Sequence, residues 1–133
     1  MKLEHGQYQL KWHGNILLVK LVGSFNEEGT LSYIADAKQL LEAADMDGYY
    51  MLIDDIELEG ATPVSYQLVN DFNQWSIDNG LIAKALITSS PTVVNMMYKM
   101  APTFERDNIR SFSAVVEGLA WLEGLASSQT AKK

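Results

Sequence analysis

Short apolar runs at residues 16–22, 49–53 and 82–87 alternate along the chain with segments whose apolar residues recur every three or four positions. This alternation is the tightest constraint on the fold. Strands separated by helices join in parallel, because a parallel partner needs a crossover of about a dozen residues or more. One antiparallel pair is expected at the start. Tyr8, Leu10 and Trp12 alternate with Gln9 and Lys11, the period of a half-buried strand, and Gly14-Asn15 follows as a turn pair. The order is the reverse of the favoured Asn-Gly. Residues 108–112 read as a last strand, and residues 82–87 as a strand despite Lys84.

Helix signals fill the gaps. Asn26 can cap a first helix, with Glu27 and Glu28 near the positive end of its dipole. Leu31, Ile34, Ala37, Leu41 and Ala44 would be its buried face, and Asp47-Gly48 its end. Thr62-Pro63 and Ser90-Pro91 each place a hydroxyl at the N-cap and a proline at the first helical position. Val64, Leu68, Phe72 and Trp75 mark the buried face of the second helix; Val93, Met97, Met100 and Phe104 mark that of the third. Ser113 caps a final helix buried through Val115, Leu119 and Leu122. The predicted order is β-β-α-β-α-β-α-β-α, an α/β domain over residues 1–126, with residues 127–133 as a frayed tail.

A chain of 133 residues, 47% of them hydrophobic, can bury a core without disulfides or metals. It has no cysteine, which excludes thiol nucleophiles and cysteine-based metal sites. Residues 1–14 lack the apolar core of a signal peptide, and no apolar run approaches a membrane span, so a cytoplasmic location is expected. The net charge of −7 argues against nucleic acid and anionic membranes as partners. Its distribution is more informative than its sum. Residues 39–83 hold nine acids and no Lys or Arg, against ten bases and eight acids elsewhere. One part of the surface should therefore be strongly negative.

Catalytic patterns are absent. His5 and His13 both lie in the first hairpin region, no serine sits in a G-x-S-x-G elbow, and no glycine-rich phosphate loop occurs. The best local candidate is the acidic group Asp54, Asp55, Glu57 and Glu59, at the carboxyl end of a strand where open parallel sheets bind ligands. It admits three readings: carboxylates for a hard cation, a phosphoryl acceptor at Asp54 or Asp55, or a solvated loop that repels wrong partners. EF-hand spacing is missing, as are the further acidic pair and the lysine of a response-regulator receiver. The Met-rich segment is a second candidate. Met96, Met97, Met100 and Phe104 suit an adaptable apolar pocket or ordinary core.

Residues 54–63, Asp-Asp-Ile-Glu-Leu-Glu-Gly-Ala-Thr-Pro, end a strand and open a helix in a way that resembles the bacterial SpoIIAA-like family with its STAS-like fold. Residues 99–104, Lys-Met-Ala-Pro-Thr-Phe, resemble that family's helix end before the last strand, and residues 117–122, Glu-Gly-Leu-Ala-Trp-Leu, its closing helix. The resemblance implies a mixed, mostly parallel sheet of four or five strands with helices mainly on one face. It implies a small regulatory or binding domain rather than an enzyme. Anti-sigma-factor antagonists carry a phosphorylatable serine in an Asp-Ser-Ser-Gly-like turn, whereas this chain has Ala61-Thr62-Pro63-Val64-Ser65. That departure leaves Thr62 as a plain N-cap.

The expected function is that of a non-enzymatic bacterial interaction module. Its acidic loop between the third strand and second helix, with Asp54, Asp55, Glu57, Glu59 and Thr62, would meet a protein partner together with Tyr66, Asn70 and Asn73 of that helix. The alternative is a carrier or sensor of a small apolar, lipid-like ligand, held between the sheet and the segment Met96, Met97, Met100 and Phe104. An enzyme would need a second catalytic group beside Asp54 or Asp55. No metal or cofactor is expected, and self-association is left open.

Overall fold

In the computed structural model, which describes residues 5–131, β1 (Gln7–His13) and β2 (Ile16–Phe25) form an antiparallel hairpin pairing His13 with Ile16. Gly14 has φ +61°, and among the described residues no non-glycine has positive φ. The Gly-Asn order thus suits a turn in which only the first central residue takes positive φ, rather than the turn that favours Asn-Gly.

The chain continues through α1 (Glu27–Ala43), β3 (Tyr49–Asp54), β4 (Leu58–Ala61), α2 (Pro63–Asp78), β5 (Leu81–Ile87), α3 (Pro91–Met100), a 3-10 turn (Pro102–Phe104), β6 (Ile109–Phe112) and α4 (Val115–Ala131). The strand order is β1-β2-β3-β5-β6, with β4 paired to β2 and only the β1–β2 pair antiparallel. Each crossover from β2 onward steps the same way across the sheet. Right-handed connections therefore place α1, α2 and α3 on one face. Leu17, Val19, Leu21, Met51, Ile53 and Leu86 form the core on that side. On the other, Ile16, Tyr50, Leu52, Ala83, Ala85 and Ile87 meet Leu122 of α4.

Asn26, Thr62 and Ser90 cap their helices, accepting from the backbone N–H of Gly29, Ser65 and Val93. Other expectations need correction. Residues 54–62 are not simply a loop: β4 lies within them and pairs in parallel with Gly23–Phe25 of β2, which raises the strand count to six. β2 changes partner along its length, with residues 16–20 on β3 and residues 23–25 on β4. The helix faces are also rotated from the apolar pattern. Leu31 is 47% exposed and Val64 46%, while Thr30 and Tyr33 of α1, and Ser65, Tyr66, Asn73 and Ser76 of α2, are buried. The polar residues among these are internally bonded, so their burial leaves no apolar signature.

At the far end, α4 continues through residues 127–131 in place of the frayed tail, since no Gly or Pro follows Gly124. Residues 132–133 lie outside the described residues. Ser113 precedes that helix, and its hydroxyl donates to the Glu117 carboxylate at 3.2 Å.

Candidate functional site

The site is set by where three strands end. Asp54 pairs with Ile87, and the Asp55 N–H donates to the Ile87 carbonyl at 2.8 Å, so the carboxyl ends of β3 and β5 are level. The far end of β2 has turned to β4. Beneath the helices these strands enclose a cavity of about 40 Å³, lined by all of α1, α2, α3 and the 3-10 turn through Tyr33, Tyr66, Phe72, Met97 and Phe104. At about 10–15 Å³ per water, that is room for roughly three waters.

A carboxyl and an amine line this mostly apolar space, beside the phenols of Tyr33 and Tyr66. Asp55 is 5% exposed and Lys84 is 2% exposed. Burial pushes the Asp55 carboxyl up from 3.8 to about 7, with Asp54 adding to the rise and Lys84 opposing it. Burial likewise brings the Lys84 ammonium down from 10.5 to about 7, against the pull of Asp55. Lys84 Nζ donates to Asn73 Oδ1 at 2.6 Å and lies 4.9 Å from the centre of the Phe104 ring. Asp55 Oδ1 is buried without a hydrogen-bond partner.

Hydroxyls and amides order the surrounding wall. Ser65 Oγ accepts from Thr62 at 2.8 Å and lies 2.8 Å from the Thr30 hydroxyl, whose own proton goes to the Asn26 carbonyl. Asn73 Nδ2 donates to Thr103 Oγ1 at 3.0 Å, and Asn70 Oδ1 accepts from the Thr103 N–H at 3.0 Å. The second helix is thereby fixed to the 3-10 turn, with Asn73 joining that clamp to Lys84.

The residues expected to meet a partner therefore divide. Glu57, Glu59 and Thr62 are exposed and Asp54 is half-buried. Asp55, Tyr66 and Asn73 are buried, so these three are corrected from surface to interior roles, while Asn70 is half-buried and its side chain accepts from Thr103. The exposed acids are also less isolated than the sequence suggests. Lys20 reaches from β2 to bond Glu57 at 2.7 Å, and this bond raises its pKa. Of the apolar candidates, Met97 and Phe104 line the cavity, Met100 packs against the core beside it, and Met96 is 42% exposed. Ser65 is 1% exposed, leaving Thr62 as the accessible hydroxyl at the helix start.

Lys84, Thr103 and Thr30 were missed as site residues. The available signal for Lys84 was a cation inside an apolar strand, which must find buried partners. Among the described residues, no three carboxylate or imidazole side chains converge as a metal site would require, and no helix is long and apolar enough to cross a membrane.

This architecture is a SpoIIAA-like, STAS-like fold. The chain is similar to an uncharacterised DUF3478-family protein with a SpoIIAA-like fold from Shewanella loihica PV-4, at TM-score 0.67 and 17% identity, covering 92% of this chain and 97% of that one. It is also similar to the anti-sigma factor antagonist SpoIIAA in its unphosphorylated form, at TM-score 0.62 and 13% identity, covering 92% and 98% of the two chains. No family profile and no curated protein matches the sequence.

Proposed function

We propose that this chain is a regulatory protein-interaction module rather than an enzyme, and that it meets a basic partner through the segment from Asp54 to Val64. The observation that carries this reading is the composition of the exposed segment. Ile56 is 44% exposed and Val64 46%, and the acids Glu57 and Glu59 lie between them in sequence. Apolar anchors within a polar rim are the usual anatomy of a binding surface, and the rim charge selects a partner of opposite sign. The likeness in fold to an anti-sigma factor antagonist supports a regulatory role.

A photo-cross-linking residue at position 59 should give a defined product in bacterial cells, and the same residue at the exposed Asp47, before the amino end of β3, should not. Glu57→Lys with Glu59→Lys should abolish the product and reduce the salt dependence of partner capture. Equal products from both positions, or unchanged capture by the double variant, would exclude this surface.

The cavity favours a second reading, a binder of a small apolar ligand beside Met97 and Phe104. Its volume of about 40 Å³ restricts that ligand to a few non-hydrogen atoms inside the protein, well short of an acyl chain.

A further inference from the structure

The polar groups of the cavity do not complete one another. Lys84 carries three N–H donors, one of which is used by Asn73. Asp55 offers an oxygen with no hydrogen-bond partner. The two side chains line the same space without a direct hydrogen bond, and each bears the desolvation cost of its burial. A group that bridges them must accept from Lys84 and donate to Asp55. A primary amide does so through its carbonyl and its NH2, and an alcohol through a single oxygen. A carboxylate would meet Asp55 with like charge, and an ammonium would meet Lys84.

Access is equally specific. Leu58 and Ala61 of β4 and Val69 of α2 are the lining residues that are not fully buried, so the mouth lies between that strand and that helix and is apolar. A ligand entering there would place its polar head at Asp55 and Lys84 and its body against Leu58 and Val69. We infer that the cavity binds a small neutral molecule whose amide or alcohol head bridges Asp55 and Lys84, with a short apolar body filling the mouth. This inference rests on the small-ligand reading of the same cavity and adds the chemistry of the head; it does not depend on the protein-partner reading.

Butyramide is a suitable probe, with xenon as an apolar control and butyrate and butylamine as charged ones. In NMR spectra of the full chain, butyramide should shift the resonances of Asp55, Lys84 and Leu58 saturably. Butyrate should bind at least about tenfold more weakly above pH 7, where Asp55 is ionised, and butylamine below pH 7, where Lys84 is charged. Asp55→Ala, which removes the acceptor without filling the cavity, should weaken butyramide by at least about tenfold. The comparison of the three heads on the unaltered chain decides the matter if that variant does not fold. Xenon binding without butyramide binding overturns the inference and leaves the apolar-ligand reading standing. Butyrate as the tightest ligand above pH 7 overturns it as well. A cavity that holds only water, with no response to any probe, overturns both.

Discussion

Lys84 donates its bonded proton to Asn73 and not to Asp55, although Asp55 and Lys84 line one cavity and each is more than nine-tenths buried. Each charge stabilises the other through the interior, while the hydrogen bond that fixes the ammonium goes to a neutral amide. Removing one partner leaves the other charge buried and uncompensated, whereas removing both leaves an apolar cavity.

Lys84→Met should therefore lower stability by about 2 kcal/mol, a figure reduced because Asp55 can neutralise itself by taking up a proton. Asp55→Leu combined with Lys84→Met should recover most of that loss. Urea unfolding of the wild type, both single variants and the double variant measures the coupling. Strictly additive losses would show that the two side chains do not share a field.

The pair also gives stability a distinctive pH profile. Asp55 has a folded pKa of about 7, above its ordinary 3.8, so its contribution is full below about 3.8 and is lost as pH rises through 7. Lys84 has a folded pKa of about 7, below its ordinary 10.5, so its contribution is full above about 10.5 and is lost as pH falls through 7. The wild type minus the double variant should show a minimum near neutral pH, with stability rising on both sides. A maximum near pH 7 in that difference curve would contradict the assignment.

Tyr50 also carries an orphaned polar atom. Its hydroxyl is buried without a partner on the α4 side of the sheet, where Leu52 and Leu122 are its neighbours in the core. Tyr50→Phe removes an unsatisfied group and little volume, and should raise stability by about 1 kcal/mol. Thermal unfolding would show this as a higher Tm; a lower Tm would mean that the hydroxyl has a partner in solution.

Two glycines of α4 should respond oppositely. A Cβ at Gly118 would lie 2.5 Å from Ile87 Cδ1 and 3.2 Å from Ala85 Cβ, whereas a Cβ at Gly124 meets nothing within 4 Å. Gly124→Ala should stabilise by roughly 0.5–1 kcal/mol through helix propensity. Gly118→Val should destabilise by roughly 1–3 kcal/mol by prising the helix from β5. Denaturant midpoints for the two variants test the packing; a stabilising Gly118→Val would place that face of the helix away from the sheet.

Much of the fold was legible because its signals are local. Proline at the first helical position, hydroxyl caps and strand alternation located the main elements, and the resemblance supplied the disposition of the helices. The site was less legible because it is assembled across the sheet. Asp55 reads as one member of an acidic run, and only the level ends of β3 and β5 turn it inward. Asn73 reads as a surface residue of α2 until Lys84 and Thr103 are brought to it from 11 and 30 residues away. β4 was hidden because Glu59 and Gly60 break the apolar pattern that marks a strand. Lys20 likewise enters the acidic edge from β2, where charge counted along the chain cannot see it.

The fork in β2 has an evolutionary consequence. β4 is attached through three paired positions beside a register shift, whereas β2 holds β1 through seven paired positions and β3 through five without one. The exposed residues of segment 56–61, Ile56, Glu57 and Glu59, thus contribute little to the cooperative unit that keeps the chain folded. Substitutions at those exposed positions should cost the scaffold little, so the recognition proposed for this edge can drift while the five-stranded slab is held constant by selection for folding.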